Sequence, residues 1–265
     1  MCSIMNIKRK INMKIIDSHA HLMDEMYKED IDEVLKRCIE NDLEYVINIG
    51  YSKETSQEAI EFANKYDWIY AVVGMHPDEC NTKNADISFI KDYAKNKKVV
   101  AIGEIGLDYH YPEINKETQK EFFIRQIQLA NELSLPVVIH NRDADMDMLE
   151  ILKENKINKN FVMHCFSSSL EVAKEIIKMD GYISLSGTVT FKNAKKIAEV
   201  AKIIPEDRLL IETDCPYLTP EPNRGKRNEP KNVWDTLRKI SEIRNINVEE
   251  LAYITNRNTK KFYNI

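Results

Sequence analysis

The chain has 265 residues, of which 43% are hydrophobic and 31% are charged, so it can bury a sizeable core beneath a well-solvated surface. Its formal net charge of −5 argues against a protein that coats nucleic acid through bulk positive charge. This net charge is compatible with an enzyme that binds a single phosphate group. No apolar run approaches the ~20 residues that a membrane-spanning helix needs.

The first twelve residues form a short basic segment. Lys8, Arg9 and Lys10 are not followed by the long apolar run of a secretory signal peptide. The first predicted strand begins just after Met13. We therefore expect residues 1–12 to be an N-terminal extension without a catalytic part, and residues 13–265 to form one domain.

Short apolar runs alternate with longer amphipathic segments through the rest of the chain. The apolar runs are rich in β-branched residues, which is typical of parallel strands covered on both faces. They predict strands at 15–17, 45–49, 69–74, 99–104, 137–140, 161–164, 182–186 and 209–212. The amphipathic segments predict helices at 30–41, 55–65, 116–133, 144–155, 170–179 and 193–203, with two more at 233–244 and 248–262.

This alternation predicts an α/β fold in which a single domain forms a (β/α)8 TIM barrel. A doubly wound open sheet is the main alternative. Two observations favour the barrel. No GxGxxG turn follows the first strand, and polar residues recur at the carboxyl ends of strands one, four, five, six and eight, which only a closed ring brings together.

The polar residues at these strand ends predict a metal site at the C-terminal face of the barrel. Imidazole and carboxylate groups are the usual protein ligands of zinc and other first-row divalent metals. The candidates are His19 and His21 after the first strand, then Glu104, His140, His164 and Asp214. They exceed what one tetrahedral site uses, so they indicate a hydrolase with two metal ions. The alternative is a set of separate, hydrogen-bonded rim residues.

The cysteines give no second kind of metal site. There are five, and no CxxC spacing occurs, which indicates reduced thiols and a cytoplasmic protein. Cys165 and Cys215 each follow a proposed ligand, but neighbours along a strand face opposite ways. We expect both to be packing residues.

Four sequence blocks resemble those of the TatD family of metal-dependent deoxyribonucleases, which are barrels of the amidohydrolase-like superfamily. They are Asp17-Ser18-His19-Ala20-His21-Leu22, Gly103-Glu104-Ile105-Gly106-Leu107-Asp108-Tyr109, His164-Cys165-Phe166-Ser167 and Glu212-Thr213-Asp214-Cys215-Pro216-Tyr217-Leu218. The basic loop at residues 222–230 also resembles the family, and the match runs in order from about Lys14 to the C-terminus. Ser168 departs from it, because glycine often follows the third block.

The resemblance implies a ligand set and an activity. His19, His21, Glu104 and Asp214 would hold one divalent ion, and Glu104, His140 and His164 the second, so that Glu104 bridges two ions of Mg²⁺, Mn²⁺ or Zn²⁺. The implied reaction is hydrolysis of DNA phosphodiesters, as a 3′–5′ exonuclease acting on strand ends. In that reaction Glu104 and Asp214 would be the catalytic residues, and Asp214 would orient the attacking water or accept its proton.

Residues around the proposed site are candidates for substrate binding. His76 follows strand three and could contact a phosphate or protonate a leaving oxygen, or it could be a loop residue with a local hydrogen bond. His110 follows strand four and has the same alternatives, of which we favour substrate contact. Arg224 and Arg227, with Lys226, form a basic patch just after strand eight, which we expect to bind phosphate. Asn141 and Arg142 are weaker candidates. Tyr109, Tyr111 and Tyr217 could stack on bases or could simply pack in their loops.

Two other functions remain open on sequence grounds. The same ligands could serve an ester or amide hydrolase such as a D-aminoacyl-tRNA deacylase, with RNA or aminoacyl-tRNA as the partner in place of DNA. A non-enzymatic metal-binding scaffold is disfavoured, because every family ligand is present. We expect a monomer with no membrane partner.

Overall fold

The computed structural model describes residues 13–81, 85–111, 113 and 115–265. The expected N-terminal extension, residues 1–12, lies outside the described residues. Within the described part, eight strands are β1 (Ile15–Ala20), β2 (Leu43–Ile49), β3 (Ile69–Val73), β4 (Val99–Asp108), β5 (Val137–Arg142), β6 (Phe161–Met163), β7 (Tyr182–Leu185) and β8 (Leu209–Ile211). The described helices are α1 (Ile31–Glu40), α2 (Lys53–Lys65), α3 (Ser88–Tyr93), α4 (Lys116–Leu133), α5 (Asp145–Glu154), α6 (Leu170–Lys178), α7 (Lys195–Ile203), α8 (Val233–Arg244) and α9 (Val248–Tyr263).

The strands form one parallel sheet in the order β1 to β8. The ring closes between β1 and the chain just after β8. Ala20 pairs with Cys215, the Asp214 N–H donates to the His19 carbonyl oxygen at 3.0 Å, and the His21 N–H donates to the Cys215 carbonyl oxygen at 2.9 Å. The predicted (β/α)8 barrel is confirmed, and the open sheet is excluded.

The hydrophobic core has two parts. The larger one lies between the strands and the surrounding helices, with residues such as Val34 and Phe123 fully buried. A second cluster joins strand side chains from β2 to β8 with Phe262 and Tyr263 at the end of α9. The Tyr263 hydroxyl donates to the Ser18 carbonyl oxygen at 3.0 Å. The last helix therefore fixes β1, the strand that carries His19 and leads directly to His21.

Several helices begin at a polar residue that caps them. Side chains at these positions accept hydrogen bonds from backbone N–H groups that would otherwise lack a partner. The capping residues are Ser52 for α2, Asn115 for α4, Ser169 for α6 and Asn247 for α9. None of the described helices is long and apolar enough to cross a membrane.

The structure differs from the predicted elements in two respects. Helix α3 was not predicted, because its six residues are too few to show a helical period. The strand ends also differ. Strands β1, β4 and β5 continue beyond their predicted ends, so His19 lies within a strand and Glu104 and His140 are not the last residues of theirs, whereas β6 and β8 end one residue early and His164 follows its strand. Glycine at position 106 permits the continuation of β4, since a Cβ there would overlap the carbonyl oxygen of His140.

Candidate metal centre

The first group of predicted ligands lies where β1, β4 and the end of β8 meet. The Nε2 atoms of His19 and His21 are 3.3 Å apart. They lie 3.4 and 3.8 Å from Oε2 of Glu104, and 3.6 and 3.5 Å from Oδ1 of Asp214. One ligand atom each of His19, His21 and Glu104 lie within 4.8 Å of one another, and Asp214, from a third part of the sequence, lies beside the two histidines.

The second group uses the other oxygen of the same carboxylate. Oε1 of Glu104 lies 2.8 Å from Nδ1 of His140 and 2.7 Å from Nε2 of His164. Those two nitrogens are 3.3 Å apart. Glu104 therefore stands between the two groups, with one oxygen in each, which is the arrangement that a bridging carboxylate needs.

His76 joins the second group. Its Nε2 lies 3.6 Å from Oε1 of Glu104, and its ring meets the His140 ring edge-on at 4.4 Å. The Asp78 backbone N–H donates to Nδ1 of His76 at 3.2 Å. Because Nδ1 accepts, the hydrogen of the neutral ring sits on Nε2 and is directed to the centre.

Two of the ligand histidines have a hydrogen-bond partner on their other ring nitrogen. Nδ1 of His21 lies 2.9 Å from the Ile49 carbonyl oxygen, and Nε2 of His140 lies 2.9 Å from Oδ2 of Asp108. Nδ1 of His164 lies 3.4 Å from Oε1 of Glu212 without forming a hydrogen bond, and Nδ1 of His19 has no partner among the described residues. Partners of this kind fix the tautomer, and therefore which nitrogen is left free for a metal.

Burial and charge set the protonation of the two central carboxylates. Burial raises the pKa of Glu104, but the neighbouring His164 and hydrogen bonds from His140, His164 and His19 outweigh it, and the pKa lies well below its usual range. At Asp214, burial is likewise outweighed by the hydrogen bond with His21 and by the charges of the histidines, so its pKa is also lowered. Both groups are ionised at neutral pH.

His76 is held in its neutral form. Burial and the neighbouring His140 lower its pKa to about 3, although Glu104 and Asp108 act in the opposite direction. His140 and His164 differ: burial lowers the pKa of each, but Asp108 and Glu104 at His140, and Glu104 and Glu212 at His164, leave it raised. The centre thus combines ionised carboxylates with one imidazole whose pKa is lowered, that of His76, and two whose pKa values are raised, those of His140 and His164.

The donor set fits divalent metal ions. Four donors about 2.0 to 2.2 Å from one ion in a tetrahedron would lie about 3.3 to 3.6 Å apart, which matches most of the spacings in the first group. Three donor clusters can be drawn among the described residues: His19–His21–Glu104, His76–Glu104–His140 and His19–His164–Glu212. Metal ligation by the six predicted residues stays a prediction that this geometry supports.

A cleft of about 370 Å³ opens directly above the second group. Its floor contains His140, His164 and Asp214, and its polar walls contain Asn141, Arg142, Ser167 and Thr188. Tyr217 and Leu218 form an apolar side of the same cleft. The volume falls in the range of about 300 to 1,000 Å³ that small-molecule sites occupy, so the centre is open to a substrate of that size.

The predicted substrate contacts are spread unevenly around this cleft. His76 lies in the centre itself, as described above. His110 is exposed and is not among the described residues that line the cleft; its Nδ1 lies 3.2 Å from Oδ2 of Asp143. Arg224 is exposed, and its guanidinium lies 3.5 Å from the centre of the Phe191 ring.

Arg227 has a structural partner that the sequence did not reveal. Its guanidinium donates to both carboxylate oxygens of Asp30, at 2.7 and 2.6 Å, and lies over the Tyr27 ring. Glu229 in the same loop pairs with Arg37 at 2.8 Å. The loop after β8 is thereby tied to α1, and phosphate binding by Arg227 stays a prediction that would need the Asp30 pair to open.

Two acidic residues have contacts that sequence reasoning did not assign. Asp108 accepts the His110 N–H at 2.9 Å through one oxygen, and its second oxygen holds His140. Asp17 accepts the Thr213 N–H at 2.9 Å and the Thr213 hydroxyl at 2.6 Å, so it fastens the segment that carries Asp214. The spacing of Asp108, four residues beyond Glu104 on the same strand face, was a usable signal. Asp17 gave none.

The four described cysteines form no disulfide. Cys215 is fully buried, as expected of a packing residue. Cys165 is half-buried at the edge of the cleft, with its Sγ 3.2 Å from the Ser186 hydroxyl. Cys2 lies outside the described residues.

Comparison with known proteins gives a consistent set of relatives. The family model for TatD-related DNases matches residues 16–264. The uncharacterized metal-dependent hydrolase YabD of Bacillus subtilis is 48% identical over 253 residues, which cover 95% of this chain and 99% of that protein.

Two solved structures share this architecture over nearly the whole chain. The TatD homolog YJJV of Escherichia coli K12 superposes with a TM-score of 0.91 at 28% identity, covering 96% of this chain and all of that one. A TatD family hydrolase of Entamoeba histolytica gives a TM-score of 0.85 at 29% identity, covering 95% of this chain and 98% of that one.

Proposed function

The chain belongs to the family of TatD-related DNases and is a metal-dependent hydrolase, and on that premise we propose that it hydrolyses DNA phosphodiester bonds at a centre for two divalent ions. In this proposal His19, His21, Glu104 and Asp214 hold one ion, and Glu104, His140 and His164 hold the other. The ions are Mg²⁺, Mn²⁺ or Zn²⁺, and the substrate is the end of a DNA strand.

The position of Glu104 is the observation that carries the proposal. Its two oxygens lie in two separate groups of histidines, at 3.4 Å from His19 and at 2.7 Å from His164. Bound divalent ions would supply the positive charge that stabilises a phosphoryl transition state and would lower the pKa of water. A single carboxylate shared by two histidine groups supports a two-ion site over a one-ion site.

Asp214 is the residue that accepts the proton of the attacking water. It is ionised, it lines the floor of the cleft, and its Oδ1 lies 3.5 Å from Nε2 of His21. A general base must be both deprotonated and within reach of the substrate. Among the described carboxylates that line the cleft, Asp214 meets both conditions.

His76 acts as a hydrogen-bond donor and not as an acid. Its pKa of about 3 keeps it neutral, so it has no proton to give to a leaving oxygen at neutral pH. The Nε2–H that points into the centre can instead donate a hydrogen bond to a phosphoryl oxygen. Of the two catalytic roles that the sequence left open for His76, phosphate contact and protonation of a leaving oxygen, its neutral form favours phosphate contact.

The walls of the cleft suit a nucleotide. Arg142 is exposed and lines the cleft, and no described carboxylate lies within salt-bridge distance of it. Tyr217 is 51% exposed and presents a ring on which a base can stack. Arg224 offers a second exposed cation near the loop that contributes Thr188.

The overall charge favours attack on strand ends, as in a 3′–5′ exonuclease. A protein that follows DNA along its length needs an extended basic surface, whereas this chain carries a net charge of −5. Its cleft of about 370 Å³ has the size of a site for one or two nucleotides. A strand end held mainly by its terminal phosphates needs no such basic surface.

The proposal is tested by offering the protein three substrates under identical conditions with Mn²⁺. They are a linear single-stranded oligonucleotide, a circular single strand of the same sequence, and a D-aminoacyl-tRNA ester. We expect rapid loss of the linear strand, no cleavage of the circle and no ester hydrolysis. Equal cleavage of both DNA forms would refute exonuclease action, and selective ester cleavage would refute the choice of DNA.

A further inference from the structure

Glu212 is a buried carboxylate that the proposed chemistry does not use. It follows β8 directly and is 1% exposed. One oxygen, Oε1, accepts the backbone N–H of Cys165 at 2.6 Å and lies 3.4 Å from Nδ1 of His164. The other, Oε2, is buried and has no hydrogen-bond partner among the described residues.

His19 and His164 belong to different ligand groups, yet their rings form one stack. The ring centres are 4.0 Å apart and the planes differ by 11°. The Nε2 atom of each ring faces an oxygen of Glu104. One ligand atom of each histidine and one oxygen of Glu212 lie within 4.8 Å of one another, and at His164 the carboxylates of Glu104 and Glu212 face opposite ring nitrogens.

His19 and His164 lack the hydrogen-bond partner that the other two ligand histidines have on their second ring nitrogen. Nδ1 of each is buried and has no hydrogen bond among the residues that the structure describes, whereas His21 has the Ile49 carbonyl oxygen and His140 has Asp108. A buried nitrogen without a partner and a buried carboxylate oxygen without a partner are each costly. Both costs are removed if Nδ1–H of His19 donates to Glu212, which lies beside the same pair of rings.

From this arrangement we propose that Glu212 is a positioning residue shared by the two metal groups. It accepts Nδ1–H from His164 in one group and from His19 in the other, and so leaves both Nε2 atoms free as ligands. The inference rests on the proposed two-ion function. Asp108, by contrast, holds only His140, and therefore serves only the second group.

The test is a titration of the metal-free protein with Co²⁺, followed by visible absorption and by calorimetry. The variants are Glu212→Gln and Asp108→Asn, with Glu199→Gln, an exposed residue of α7, as the control. Loss of a partner that orients a ligand typically weakens metal binding about 10- to 100-fold. We expect Glu212→Gln to weaken the binding of both ions by that factor, and Asp108→Asn to weaken one.

The outcomes separate the inference from the function on which it rests. Wild-type protein that binds two ions, with Glu212→Gln affecting neither or only one, overturns the role of Glu212 alone. Equal effects of Glu212→Gln and Asp108→Asn on both ions overturn it as well. Wild-type protein that binds fewer than two ions overturns the two-ion proposal and the inference together.

A second measurement uses the wild-type protein and does not depend on the folding of a variant. In nitrogen-edited NMR spectra of the Zn²⁺-loaded protein, we expect the rings of His19 and His164 to carry hydrogen on Nδ1 and to bind metal through Nε2. Binding of either ring through Nδ1 would overturn the inference.

Discussion

Replacing Asp17 with asparagine should stabilise the barrel at neutral pH and should remove part of its pH dependence. Asp17 is fully buried at the point where β1 meets the end of β8. Burial raises its pKa from 3.8 to about 8, although hydrogen bonds from Thr213 and from the His19 backbone act in the opposite direction. The charged carboxylate is therefore disfavoured in the folded protein.

The sign and size of the effect follow from this pKa. Because the folded protein holds the proton more tightly than the unfolded chain, stability falls as the pH rises between the unfolded and folded pKa values. At about 1.4 kcal/mol per pKa unit, the wild-type protein should lose about 2 to 3 kcal/mol from this group between about pH 5 and about pH 7.

Asparagine preserves the geometry of the site. Its oxygen can accept the N–H groups of Thr213 and His19, now at 2.9 and 3.3 Å from Oδ1, and its amide can donate to the Thr213 hydroxyl, now 2.6 Å from Oδ2. The amide side chain has no charge to lose, so the pH-dependent term disappears. The histidines titrate in both proteins and cancel in the difference.

The assay is urea unfolding of both proteins with a chelator present, so that metal does not alter the titration. The free energy of unfolding of Asp17→Asn minus that of the wild type should rise by about 2 to 3 kcal/mol between about pH 5 and about pH 7. A difference that stays constant within about 0.5 kcal/mol across this range would refute the account of Asp17.

Three further predictions concern the metal centre and the cleft. Asp214→Asn should lower the rate constant of hydrolysis in single-turnover assays about 10²- to 10⁴-fold, while exposed Asp207→Asn should leave it unchanged. Equal rate constants for Asp214→Asn and the wild type would contradict the role of Asp214. Arg142→Ala should raise KM about tenfold with little change in kcat, whereas Arg257→Ala on α9 should change neither; an effect on kcat alone would count against phosphate binding. Two ions, each at about 100 times its Kd, should raise the free energy of unfolding of the wild type in urea by about 5 kcal/mol. Glu104→Gln should abolish this stabilisation by metal. A Glu104→Gln protein that is still stabilised would show that metal binding does not depend on Glu104.

The barrel was predictable because the composition of the strands, the periodicity of the helices and the order of these elements all indicated it. Short β-branched runs alternate with amphipathic helices through the chain, and a parallel sheet of this length has few other topologies. The convergence of His19, His21, Glu104, His140, His164 and Asp214 followed from the same reasoning, since the carboxyl ends of barrel strands meet at one face. The resemblance to the TatD family, carried by four sequence blocks, is confirmed by the family match.

The remaining details depend on where the chain leaves regular geometry. Strand alternation would turn Glu212 and Asp214 to the same side, but β8 ends at Ile211 and Asp214 has a positive φ of 57°. As a result Glu212 contacts Nδ1 of His164, while Asp214 contacts the Nε2 atoms of the first group. Alternation holds only inside a strand.

Long-range ion pairs were also beyond the reach of sequence patterns. Arg227 and Asp30 are 197 residues apart in the chain, and their contact arises only once the barrel closes. The basic patch after β8 therefore contained two kinds of residue that look alike in sequence. Arg224 is exposed at the surface, while Arg227 anchors the loop to α1.

The most direct test of the central claim is the degradation of a 5′-labelled single-stranded oligonucleotide by wild-type, Glu104→Gln and Glu199→Gln proteins. Each is incubated with Mg²⁺, with Mn²⁺ and with EDTA. We predict a ladder that shortens from the 3′ end with wild-type and Glu199→Gln proteins in the presence of metal, and intact substrate with EDTA or with Glu104→Gln. Intact DNA with metal-loaded wild-type protein, or an unchanged ladder from Glu104→Gln, would contradict a DNA hydrolase built around that carboxylate.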